Sequence, residues 1–70
     1  MRNSAIRGEY ILQELMRTGS VEVEALAHSL GVDSSTIRRD LERLERQQVL
    51  RRVHGGAIPL EAPADAVYAY

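Results

Sequence analysis

The 70-residue sequence predicts a mainly α domain that carries a small β-hairpin. Three observations point there. Apolar residues recur at helical spacing in three separate stretches, each bounded by residues that start or stop helices. A three-residue turn, Gly31-Val32-Asp33, separates the second stretch from the third. Toward the C-terminal end, short apolar runs flank the pair Gly55-Gly56, the pattern of a tight hairpin.

The first stretch starts at Ser4, a suitable N-cap, and runs to about Thr18. Ile6, Tyr10, Ile11, Leu15 and Met16 form its apolar stripe, and Gly19 is placed to end it. Gly8 inside it costs up to about 1 kcal/mol relative to Ala. Ser20-Val21-Glu22 leaves room for no more than a one- or two-residue strand. The second helix spans about Val23–Leu30, with Val23, Leu26, Ala27 and Leu30 on one face. Glu22 is a poor N-cap, although Glu22 and Glu24 suit the positive end of a helix. Gly31 can turn the chain in a left-handed conformation, and Asp33 can cap the third helix.

Asp33–Leu50 reads as one amphipathic helix. Ile37, Leu41, Leu44 and Gln48 recur at i, i+4, i+7 and i+11 and define the inward stripe. The opposite face carries Ser35, Arg39, Glu42 and Arg46, with Arg38 and Arg43 on its shoulders. A small residue at Ala27 lets this helix approach the second, Gly31 makes the corner, and Ile37 plugs it. That is the physical content of a helix-turn-helix. Val49–Val53, His54-Gly55-Gly56 and Ala57-Ile58 then form the hairpin, which completes a winged helix-turn-helix over residues 1–58. Residues 59–70 hold both prolines and four alanines without a helical or strand period, and are expected to form a flexible linker or tail.

Composition narrows the function. The chain has no cysteine, so a disulfide framework and a Cys-type zinc site are excluded. His28 and His54 lie far apart with no partner ligands in sequence, so no metal and no cofactor are expected. No nucleophile–base–orienter set is visible, which argues against an enzyme. No apolar run reaches membrane length and no signal-peptide pattern is present, so the expectation is a soluble, cytoplasmic chain with no membrane partner. The net charge of −1 hides an asymmetry. Residues 33–58 carry six Arg against two Asp and two Glu, a local +2, whereas the preceding segment sums to −1 and the following one to −2. The positive charge therefore sits on the third helix and the hairpin, where phosphate contact would use it.

That placement selects the candidate binding residues. Ser34, Ser35 and Thr36 occupy the first turn of the third helix, where hydroxyls and backbone N–H groups can meet phosphate. Arg38, Arg39 and Arg43 present guanidinium forks that suit phosphate and the acceptor edge of guanine. Arg39 and Arg43, like charges at i,i+4, make better sense facing an anion than alone. In the hairpin, Arg52, His54, Gly55 and Gly56 can approach a phosphate or the minor groove. Asp40 is expected to pair with Arg43 or a neighbouring helix. The pattern predicts sequence-specific binding of double-stranded DNA. A protein-interaction module on the same fold is the competing reading, disfavoured by the arginine face. RNA is disfavoured because Phe and Trp are absent and two of the three tyrosines lie in the last segment.

The chain also resembles the N-terminal DNA-binding domain of the DeoR family of bacterial transcriptional regulators. The resemblance rests on Arg7-x3-Ile11-x3-Leu15, the run Asp33-x2-Thr36-Ile37-Arg38-Arg39-Asp40-Leu41, Leu44-Glu45, and Arg52-x-His54-Gly55-Gly56-Ala57. It covers roughly residues 4–58. The chain departs from the family pattern at Asp33, where a small residue such as Ser is usual, and at Gln48, where Gly is usual. A left-handed backbone at Gln48 would cost about 1 kcal/mol or more. The resemblance implies a repressor of sugar or nucleoside catabolism genes. It also implies a C-terminal domain, absent from these 70 residues, that binds a phosphorylated sugar effector and oligomerises the protein.

Overall fold

The computed structural model describes residues 3–61. Its elements run α1 (Ser4–Thr18), β1 (Val21–Glu22), α2 (Val23–Leu30), α3 (Ser34–Arg46), β2 (Arg51–Val53) and β3 (Gly56–Ile58). Three helices and a small antiparallel hairpin make a winged helix-turn-helix, as expected. Most of the expected tail, residues 62–70, lies outside the described residues.

The start and the inner face of α1 both differ from expectation. Asn3, not Ser4, is the N-cap. Its Oδ1 accepts from the backbone N–H of Ala5 at 2.8 Å and of Ile6 at 3.4 Å, which makes Ser4 the first helical residue. The buried stripe is Arg7, Gly8, Ile11 and Leu15, while Ile6 is 50% and Met16 85% exposed. The reason is the four-residue spacing of positions 7, 11 and 15, which keeps one face turned to α3. Ile6 and Met16 fall off that face.

Helix α2 has the predicted bounds and buries Val23, Leu26, Ala27 and Leu30. Gly31 adopts φ 67°, and the N–H groups of Val32 and Gly31 bond the Ala27 and His28 carbonyls at 3.1 and 3.4 Å. That closes the last turn and aims the chain into α3. Asp33 stands at the N-cap of α3 in an extended conformation, but its side chain accepts no capping hydrogen bond.

Helix α3 ends at Arg46, not Leu50. Gln48 takes φ 61°, its N–H bonds the Glu45 carbonyl at 2.9 Å, and the N–H of Val49 bonds the Leu44 carbonyl at 3.2 Å. This is a Schellman stop with a glutamine in the left-handed position. Gln48 is therefore exposed rather than part of the inward stripe. The reversal brings Leu50 into the core, where it is fully buried.

The sheet has one strand more than a simple hairpin. β3 lies in the centre, with β2 antiparallel on one side and β1 antiparallel on the other. Val21 faces Ala57 and Glu22 faces Gly56, and the Val23 N–H continues the pairing to the Gly55 carbonyl at 2.8 Å. A Cβ at Gly56 would fall 1.9 Å from the Val21 carbonyl oxygen, so only glycine allows the strands this close. The core gathers under this sheet, with Ile11 and Leu15 from α1, Ile37, Leu41 and Leu44 from α3, and Ala57 from β3.

Candidate nucleic-acid interface

The inward side of α3 determines what its outward side can present. Arg7 and Asp40, only 8% and 2% exposed, form a two-point ion pair between α1 and α3. Arg7 Nε donates to Asp40 Oδ2 at 2.7 Å and Nη2 donates to Oδ1 at 3.2 Å. The hydrogen bond to Asp40 is the main reason the Arg7 guanidinium is held even more firmly protonated than usual, against the opposing effect of burial. Arg43 Nη1 donates to the same carboxylate at 3.2 Å, and its Nη2 donates to the Ser4 carbonyl at 3.3 Å. Asp40 thus pairs both with Arg43 and with the neighbouring helix, and the rotation of α3 about its axis is pinned. Arg43 is half-buried in this bracket rather than extended from the outward face.

With that side pinned, the outer face of α3 points to solvent. Ser35 and Arg39 are exposed, and neither makes a side-chain hydrogen bond or ion pair with any of the described residues. Arg38 has about half its side chain exposed, with Nη2 3.9 Å from Oε2 of Glu24 on α2. Ser34 is half-buried and its hydroxyl donates to Glu24 Oε1 at 2.8 Å. Thr36 is half-buried, its N–H bonded to the Asp33 carbonyl at 3.0 Å. Glu42 Oε2 lies 3.7 Å from Arg52 Nη1.

The hairpin divides its predicted residues between two jobs. His54 and Gly55 form its exposed two-residue tip, with Gly55 at φ 80°. Gly56 is buried against β1 and faces strand backbone, not open solvent. The Arg52 side chain is only 13% exposed. Its backbone N–H donates to Glu45 Oε2 at 3.0 Å, which ties the hairpin to the end of α3. A groove of about 320 Å³ runs between α3 and the hairpin, lined among others by Glu24, Arg38, Arg52, His54 and Gly55. The fold therefore brings Arg38, His54 and Gly55 to one groove with Glu24, which also holds Ser34, while Ser35 and Arg39 stand exposed on α3 and Arg43, Arg52 and Gly56 are engaged in contacts within the fold.

Sequence reasoning misses Glu24, and misses Arg7 as the partner of Asp40 on the neighbouring helix. By sequence Glu24 is only a favourable charge at a helix start, yet it sits among the predicted contacts. The Arg7–Asp40 pair left a legible signal: Asp40 falls at i+3 from Ile37 on the buried stripe, and Arg7 is spaced four from Ile11. Two opposite charges at core positions of two helices announce a buried pair. Among the described residues no cluster of His, Cys, Asp and Glu is arranged to hold a metal, and no helix is long and apolar enough to cross a membrane.

This arrangement has relatives. The family model described as a DeoR-like helix-turn-helix domain matches residues 7–62. The chain belongs to the DeoR-like helix-turn-helix family. It is 42% identical over 52 residues to the L-fucose operon activator of Haemophilus influenzae, covering 74% of this chain and 21% of that protein. It is 39% identical over 56 residues to the transcriptional regulator GlpR of Haloferax volcanii, covering 80% and 22%. It is 38% identical over 55 residues to the lactose phosphotransferase system repressor of Staphylococcus epidermidis, covering 79% and 22%. The chain spans between a fifth and a quarter of the length of these curated relatives. No solved structure matches it. As a DeoR-like domain it is a DNA-binding helix-turn-helix, with α3 in the place of the recognition helix.

Proposed function

We propose that this DeoR-like domain reads a specific double-stranded DNA sequence as the DNA-binding part of a transcriptional regulator of sugar catabolism genes. Its function is binding rather than catalysis. α3 enters the major groove, α2 braces it against the backbone, and the hairpin tip steadies the flank. The observation that carries this reading is the outer face of α3. There Ser35 and Arg39 stand exposed and lack side-chain partners among the described residues, and Arg38 is beside them. Arg39 is the base-reading residue; Ser34, Ser35, Thr36 and Arg38 contact phosphate or base edges, and His54 and Gly55 approach the flanking backbone. Arg43, Arg52 and Gly56 support this surface from behind.

The names of the relatives favour sugar operons as the class of target, and that of the lactose-system relative favours repression as the mode. In the longer regulator, a further domain binds a phosphorylated sugar and joins copies of the chain, so that two weak modules engage repeated half-sites. Such a regulator works in the cytoplasm, where its DNA lies.

The test is a titration with duplex DNA at several salt concentrations, using a site selected by this chain from a random pool and an unrelated duplex. Affinity should fall with salt at a slope of about −0.9 per phosphate neutralised. Arg39→Ala should weaken binding to the selected site by about 1–3 kcal/mol and leave the unrelated duplex much less affected. Equal loss on both duplexes would reduce Arg39 to a phosphate contact. Salt-insensitive or absent binding would refute the reading.

A further inference from the structure

Glu24 has the wrong sign for the proposed DNA side. Glu24, in the first turn of α2, has its side chain 79% exposed and lies on the groove between α3 and the hairpin. One carboxylate oxygen accepts from the Ser34 hydroxyl at 2.8 Å, and the other lies 3.9 Å from Arg38 Nη2. The carboxylate therefore occupies two groups that would otherwise meet phosphate. It also places a negative charge where a polyanion is to approach. A charge in that position lowers affinity for every duplex, so it does not serve binding strength. It can serve selectivity, because a contact that must first be broken is broken only where something better replaces it.

We propose that Glu24 is a positioning residue for DNA discrimination. It holds Arg38 and Ser34 back from indiscriminate phosphate contact, and yields them only on a duplex where α3 seats fully. On an unrelated duplex the Glu24–Arg38 contact persists and the carboxylate repels the backbone. On a matching site, the base contacts of α3 bring the phosphates close enough to displace Glu24 from Arg38, and the displaced carboxylate returns to water. The pair is exposed enough to exchange partners at low cost. The proposal rests on the DNA-binding reading above.

The test compares the wild-type chain with Glu24→Gln, Arg38→Ala and the double variant. The probes are the selected site and an unrelated duplex of equal length, titrated at several salt concentrations. Glutamine keeps an acceptor for Ser34 while removing the charge, and thermal unfolding of each variant confirms that it is folded. Glu24→Gln should tighten binding to the unrelated duplex about two- to fivefold and the selected site less, so that discrimination falls. The salt slope on the unrelated duplex should steepen by about 0.9, the mark of one further phosphate contact. In the Arg38→Ala background both changes should shrink clearly, leaving only the relief of carboxylate repulsion. Equal tightening on both duplexes, or an unchanged effect without Arg38, would show a general charge effect and overturn the proposal. A loss confined to the selected site would make Glu24 a base reader and overturn it as well. If the wild-type chain binds neither duplex, the DNA reading falls first and takes this one with it. If it binds and discriminates while Glu24→Gln does so equally, only this proposal falls.

Discussion

At the scale of single residues, two side chains carry unusual energetic weight. Asp40 is a buried carboxylate whose oxygens serve Arg7 and Arg43. Removing one member of a buried pair leaves the other charge in a poor environment, at a cost of about 3–5 kcal/mol. Asp40→Ala should therefore lower the urea unfolding midpoint sharply. Replacing both members with apolar residues, Arg7→Met with Asp40→Leu, should recover much of the loss. Recovery would show that the pair orients α3 more than it stabilises the fold; a double variant as unstable as the single one would contradict this. Gln48 is the second case. It holds φ 61° at a position where a Cβ is unfavourable, and where the family pattern has glycine. Gln48→Gly should stabilise the domain by about 1 kcal/mol, a rise in Tm of about 4–8 °C for a domain of this size. No rise would mean that local contacts already compensate the backbone.

Whole elements are set by their ends and by which face they bury. The end of α1 is tied by an i,i+3 pair, in which Arg17 Nη2 donates to Glu14 Oε1 at 2.6 Å and Nε donates to Oε2 at 3.2 Å. The hydrogen bond from Arg17, more than its charge alone, holds the Glu14 carboxyl below the ordinary carboxylate range, against the opposing effect of desolvation. A folded-state value below the unfolded one contributes stability that is complete above the unfolded value. That contribution is lost as pH falls through the folded value. The last turn of α1 should thus lose protection progressively as pH falls from the ordinary carboxylate range toward the lowered folded value, which amide exchange at Thr18 and Gly19 would report. Protection at these amides that does not change over that interval would contradict the depressed value. Element faces are partly legible in the sequence. The stripe of α2 is the expected Val23, Leu26, Ala27 and Leu30, but that of α1 is shifted because Arg7 and Gly8 are taken inside. A search for apolar residues alone passes over Arg7, whose four-residue spacing from Ile11 is its only mark as a core position and whose partner arrives from another helix.

Across the whole molecule, the sheet closes the fold. β3 pairs with β1, so the hairpin near the end of the described chain is fastened to the α1–α2 connection. Gly56 is the contact point, since any Cβ there would overlap the Val21 carbonyl. Gly56→Ala should destabilise at the upper end of the range for overpacking, about 1–3 kcal/mol. It should also expose the Val23 amide, which bonds Gly55, to rapid exchange ahead of α3. Intact protection at Val23 would show that the strands can part slightly without separating.

The amino-acid sequence alone determined the order of the elements, the bounds of α2, the turn at Gly31 and the hairpin around Gly55. Each of these depends on neighbours a few residues apart: periodicity, capping groups and glycine where φ is positive. Tertiary structure decided which charges are spent inside and which remain outside. Arg43 and Arg39 are four residues apart on one helix, yet one is bracketed by Asp40 and Ser4 while the other faces solvent. It likewise decided that Gly56 serves β1 and that Glu24 stands beside Arg38. Such pairings join residues distant in the chain, and the local pattern around either partner says nothing about which group the fold will bring to meet it.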